Sequence, residues 1–209
     1  MTSIAHPPGI APANDPASPP FGAFAPTRAQ AAILSLARRS RLKRGAFRPM
    51  LSALVHRLRA GPVDVQYQGA SFRFYHQASA TERGALFNPD YNLEELDFLR
   101  KHTPTGGVFV DVGANVGTYA LVLARHVGAG GKVVAIEPHP MTFGRLSFNH
   151  AASKTTSVRW PDDFVVGFDQ AALAKRHAPV ATADLFVVPV ELLDGPERVA
   201  LVAQVPDVV

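Results

Sequence analysis

The sequence predicts an α/β fold built around a doubly wound parallel sheet. Short apolar strands alternate with helical stretches from Gly106 onward, and two of those strands end in a carboxylate. The first of them also turns through glycines directly into a helix. Strands alternating with helices of this length require crossovers, and crossovers make the sheet parallel. The strands are expected at 108–112, 132–137 and 157–160, with helices at 118–127 and 141–152.

The segments before Gly106 read differently. Residues 1–27 hold seven of the 18 prolines and one formal charge, Asp15, among Ala, Ser and Gly. Few large apolar side chains are present to offset ordering entropy, which predicts a disordered tail. Residues 28–60 form a basic helical segment. Thr27 and Gln30 have capping-box spacing, and Ala29, Ile33, Leu36 and Ser40 share one narrow helix face. A second helix is expected over about 49–59. Residues 61–105 lead into the sheet: runs at 63–67 and 71–75 flank Gln68-Gly69-Ala70 as a β-hairpin. Asn88-Pro89-Asp90 marks a turn, and 93–101 reads as a helix with Leu93, Leu96 and Leu99 facing inward.

Composition excludes several function classes. The 209 residues contain no cysteine, so disulfides, thiolate metal sites and a cysteine nucleophile are absent. No run of about 18 apolar residues exists to span a bilayer. The N-terminus lacks a secretory pattern, and its proline density argues against a transit peptide. These features predict a cytoplasmic protein. The net charge of +4 conceals an asymmetry, because residues 28–59 carry nine Lys or Arg and no acid, whereas 60–209 is net acidic. Such a segment is either a solvated face or a contact for anionic lipid or nucleic acid. No aromatic-interleaved basic patch occurs, so no nucleic-acid partner is expected.

The informative stretch is Val108-Phe109-Val110-Asp111-Val112-Gly113-Ala114-Asn115-Val116-Gly117-Thr118. Ligands of open parallel sheets bind beyond the carboxyl ends of the strands. Gly113 and Gly117 suit close backbone approach or positive φ. One crossover later the strand Val133-Val134-Ala135-Ile136 ends in Glu137, which can accept hydrogen bonds from both hydroxyls of a ribose. A dinucleotide would favour Gly-x-Gly-x-x-Gly around its pyrophosphate. Here Asn115 occupies the second glycine position, and Asp111 brings a negative charge to the turn. That charge repels a pyrophosphate and attracts an ammonium group, which predicts S-adenosylmethionine (SAM) as the cofactor.

The run Asp-Val-Gly-Ala-Asn-Val-Gly, followed about twenty residues later by Ile-Glu-Pro-His-Pro, resembles the FkbM family of SAM-dependent methyltransferases over roughly residues 82–152. The resemblance implies a Rossmann-like domain of the class I methyltransferase type over 106–209. It implies a cofactor site of Asp111, Gly113, Ala114, Asn115, Gly117 and Glu137, with His139 as an adenine-edge contact or a solvated loop histidine. It also implies methyl transfer to a hydroxyl of a sugar, glycan or small metabolite. A second family signature, Asp-x-x-Lys-Ile-Asp-Val-Glu-Gly, aligns with 184–192, where Asp184, Val190 and Glu191 match but Val187, Pro189 and Leu192 do not. Glu191 is the candidate catalytic base there, or a strand-end glutamate. Room for about four or five strands predicts an incomplete, C-terminally truncated sheet. The alternative reading is a catalytically impaired SAM-binding remnant. No metal site is expected.

Overall fold

The computed structural model describes residues 18–43, 45–137 and 139–154, together with a strand at 199–203. The expected strand at 157–160 and the stretch 184–192, including Glu191, lie outside the described residues. The fold is mixed α/β. The chain divides into two compact units, and the division falls at Asp97 and again at Leu146.

The first unit is helical around a hairpin. Helix α1 (Arg28–Arg38) begins at the capping box read from the sequence: Thr27 Oγ1 accepts the Gln30 N–H at 3.2 Å, and Gln30 Oε1 accepts the Thr27 N–H at 3.0 Å. The buried face of α1 is not the one expected. Gln30, Leu34 and Ala37 are buried, whereas Leu36 is exposed. The partner helix decides this, because the Gln30 amide donates to the Val55 carbonyl at 2.9 Å and draws a polar residue into the core. A 3₁₀ turn at Arg41–Lys43 leads to α2 (Phe47–Leu58), which buries Leu51, Ser52 and Val55.

Strands β1 (Val63–Tyr67) and β2 (Ala70–Phe74) pair antiparallel, Tyr67 opposite Ala70. The two turn residues, Gln68 at φ +48° and Gly69 at +85°, have the positive dihedrals of a type I′ turn, whose twist suits a two-residue hairpin. Helix α3 (Ala80–Phe87) follows; Ser79 caps it by accepting the Glu82 N–H at 3.2 Å. The Ser-x-x-Glu spacing at 79–82 signals this helix, which is not among the sequence expectations. Phe72, Phe74, Leu86 and Phe87 are fully buried and, with Val55, form the centre of the unit.

Of the expected disordered tail, residues 1–17 lie outside the described residues, and residues 18–27 are held in place by contacts with the hairpin. Arg73 and Asp64, both buried on the hairpin, form a two-bond ion pair at 2.7 and 2.9 Å. The remaining Arg73 donors bind the Pro19 and Pro20 carbonyls, and Asp64 Oδ2 accepts the Gly22 and Phe24 N–H groups. The guanidinium lies over the Phe24 and Phe148 rings, 4.7 and 4.1 Å from their centroids. Residues 19–24 are therefore held by hydrogen bonds to side chains some forty to fifty residues away in sequence. Their own composition carries no trace of them.

His76 is a titratable group whose protonation the fold of this unit opposes. Its Nδ1 lies 2.7 Å from Ser52 Oγ, its Nε2 is buried without a partner among the described residues, and burial lowers its pKa to about 4, assisted by His56 and Arg83. The fold thus keeps the neutral ring, while the unfolded chain takes up a proton below the ordinary 6.5. Stability from this residue is present above 6.5 and is lost as pH falls toward 4. Denaturant unfolding of the parent and His76→Gln across that range is expected to show the parent losing about 2 kcal/mol relative to the variant. A pH-independent difference would show that the ring charges freely in the fold.

Helix α4 (Leu93–His102), with Leu96 and Leu99 buried, precedes the second sheet. Strand β3 (Val108–Val112), helix α5 (Ala120–Val127), strand β4 (Lys132–Ile136) and helix α6 (Pro140–Ser153) follow in order. Strand β5 (Val199–Ala203) returns to β3, and the order β4-β3-β5 is parallel throughout. The run Val-Ala-Leu-Val-Ala of β5 has the unbroken apolar character typical of parallel strands. Among the described residues, no helix is long and apolar enough to cross a membrane.

Candidate functional site

Parallel pairing sets Val112 opposite Ile136, so β3 and β4 end at the same level. The next residues of each strand, the 113–119 turn and Glu137, therefore meet beyond the sheet. Three residues of the turn have left-handed backbones: Gly113 at φ +79°, Asn115 at +51° and Gly117 at +92°. Asparagine tolerates that region better than other side chains. Asn115 thus replaces a glycine without altering the backbone path, and its identity alone does not separate SAM from a dinucleotide. Gly117 has a packing reason as well, since a Cβ there would lie 2.6 Å from Leu146 Cδ1 and 2.9 Å from Leu121 Cγ. Ala114 and Gly117 are buried, whereas Gly113 and Asn115 are partly open to solvent.

The hydrogen bonds of the turn run inward. The Gly113 and Ala114 N–H groups both donate to the Ile136 carbonyl, at 2.8 and 2.9 Å. The Asn115 N–H donates to Glu137 Oε2 at 2.8 Å, and the Gly117 N–H to the Ala114 carbonyl at 2.8 Å. At the start of α5 the Ala120 N–H donates to Asp111 Oδ2 at 3.0 Å. A phosphate cradle needs such N–H groups aimed outward. Here five of them are committed to the chain's own oxygens.

Asp111 is fully buried, and its Oδ1 has no partner among the described residues. Burial pushes its carboxyl up to about 7; the Ala120 N–H opposes the rise, and the nearby Glu137 charge adds to it. Near neutral pH Asp111 therefore carries only part of its charge, which tempers the sequence argument from a full negative charge. The Thr118 hydroxyl is a second buried polar group without a partner among the described residues, and the sequence does not single it out. Glu137 is almost buried, and its Oε1 accepts the His139 N–H at 2.9 Å. Each Glu137 oxygen thus holds one backbone N–H and keeps a second acceptor position. His139 is exposed and precedes α6, with Pro140 at the first helical position, where its missing N–H costs nothing. The His139 Nδ1 lies 3.2 Å from Thr142 Oγ1.

Asp111, Gly113, Asn115, Glu137 and His139 are therefore gathered at the ends of two adjacent strands, and Ala114 and Gly117 shape the turn from within. The candidate base Glu191 lies outside the described residues. Among the described residues, no group of three or more His, Cys, Asp or Glu is placed to hold a metal ion. No family model, curated protein or solved structure matches this chain.

Proposed function

We propose that the turn after β3, together with Glu137, binds S-adenosylmethionine, and that the chain is a methyltransferase of the FkbM type acting on a hydroxyl of a sugar, glycan or small metabolite. The observation that carries this reading is the inward commitment of the turn's N–H groups beside two carboxylates. That arrangement repels a pyrophosphate and suits a cationic ligand bearing hydroxyls. The unpartnered Asp111 Oδ1 supplies an acceptor for an ammonium group, and Glu137 retains acceptor capacity for two ribose hydroxyls. The parallel order β4-β3-β5 supports a Rossmann-like sheet whose first strand, β3, stands at the point where strand order reverses.

When bound, the cofactor supplies a methyl group on a sulfonium. The chain's contribution is to fix the nucleoside through Glu137, to orient the amino-acid end through Asp111 and to hold the turn through Gly113 and Asn115. Glu191 is the candidate base for the acceptor hydroxyl. Val187, Pro189 and Leu192, where the family signature has Lys, Asp and Gly, favour a second reading in which SAM is bound without turnover. The first reading requires methyl transfer to an added polyol or sugar; the second gives binding alone.

Calorimetry of the full chain with SAM and with NAD is the direct test. SAM is expected to bind and NAD is not. Glu137→Ala is expected to weaken SAM binding by about 2 kcal/mol, the loss of charge-assisted hydrogen bonds. Preference for NAD, or SAM binding indifferent to Glu137, overturns the assignment.

A further inference from the structure

Helix α2 carries an apolar row that remains exposed among the described residues. Phe47, Met50, Leu54 and Leu58 fall at spacings of three, four and four, which places them on one face. They are 49, 59, 45 and 46% exposed, while Leu51, Ser52 and Val55, on the adjoining face, are buried. Isolated exposed leucines are ordinary on protein surfaces. A row running the length of a helix is not.

Positive charge surrounds this row. An open depression of about 840 Å³ is lined by Arg38, Arg39, Arg41 and Lys43 and reaches Phe47, the first residue of the row. Arg57 is exposed one position before Leu58. Some cations of the segment are engaged within the protein: Arg38 donates to the Leu86 carbonyl, Lys43 pairs with Asp90, and Arg59 binds the Phe24 and Ala25 carbonyls. Arg39, Arg41 and Arg57 remain exposed, and no acid occurs anywhere in 28–59.

We infer that the α2 face is a docking surface for an anionic lipid bilayer, with α2 lying in the interface plane. An interfacial helix needs an apolar strip to enter the acyl boundary and cations to meet the headgroups, and α2 with its basic flank has both. A second copy of the chain fits less well, because it would set one basic segment against another. Nucleic acid would use the cations and leave the apolar row in water. The inference is independent of the cofactor assignment.

The test is flotation of the full chain with phosphatidylcholine vesicles, with and without about one third phosphatidylserine. Binding is expected to the anionic vesicles, falling at least about tenfold on neutral vesicles or in about 0.5 M salt. Arg39→Gln with Arg41→Gln is expected to weaken it about twenty-five-fold, roughly fivefold per charge. Leu54→Ser with Leu58→Ser is expected to weaken it at least about tenfold with an unchanged near-UV spectrum, since both side chains are exposed. Absence of binding to anionic vesicles overturns the inference. So does binding that ignores the leucine changes, which would mark charge attraction alone. A concentration-dependent dimer lost in the leucine variant, with no vesicle binding, would reassign the face to a second copy.

Discussion

Asp111→Asn is expected to stabilise the ligand-free protein by about 2 kcal/mol near pH 8 and to abolish SAM binding in the same molecule. The carboxyl is fully buried and its pKa rises from 3.8 to about 7. Its proton is therefore held more tightly in the fold than in the unfolded chain. Stability is greatest below 3.8, where both states are protonated, and falls as pH rises to about 7. Removing the titration cancels about 4 kcal/mol of that loss at high pH. The new amide nitrogen, buried where Oδ1 had no partner, gives back about 1–2 kcal/mol. Denaturant unfolding of the parent and Asp111→Asn from about pH 4 to 8 is expected to show the gap widening with pH. A variant less stable at every pH would show that Asp111 is ionised without penalty in the fold. The parent should also release about half a proton when SAM binds near pH 7, because a bound cation lowers the carboxyl pKa. Calorimetry in buffers of different ionisation enthalpy measures it.

Arg73→Met is expected to cost about 3–5 kcal/mol. Asp64 would be left buried without its counter-charge, and the Pro19 and Pro20 carbonyls would lose their donors. Residues 18–24 depend on the same pair. Amide exchange at Gly22 and Phe24, both bonded to Asp64, is expected to accelerate more than exchange in β1 and β2. Arg73→Met combined with Asp64→Leu should recover much of the loss, because it removes the uncompensated charge as well as the pair. Equal destabilisation in the single and double variants would mean that packing of the arginine stem, and not charge, holds the segment. Thermal or urea unfolding distinguishes the two.

These residues also show where sequence reading reaches its limit. The capping box at Thr27 and Gln30, the two-residue turn at Gln68-Gly69 and the glycine-rich turn after β3 were legible because each is closed by residues a few positions apart. The buried face of α1 was not legible. Its periodic apolar set pointed one way, and the bond from Gln30 to Val55 turned the helix another. The placement of residues 19–24 likewise depends on Arg73 and Asp64, which their own composition cannot report. Strand β5 is not legible in the sequence, because a short apolar run acquires meaning only from the strand it pairs with.

At the candidate site the division is sharper. Sequence alone determined which groups stand there: one carboxylate near the end of an apolar strand, another just beyond the next, and a turn of Gly113, Ala114, Asn115 and Gly117 leading into a helix. Only the tertiary structure decided what those groups do to one another. Burial takes part of the charge from Asp111, Glu137 fastens the turn by accepting the Asn115 N–H, and Gly117 yields space to Leu121 and Leu146. The physical reason is range. Strand and turn preferences act between neighbours in the chain, whereas charge state and packing depend on atoms brought together by folding.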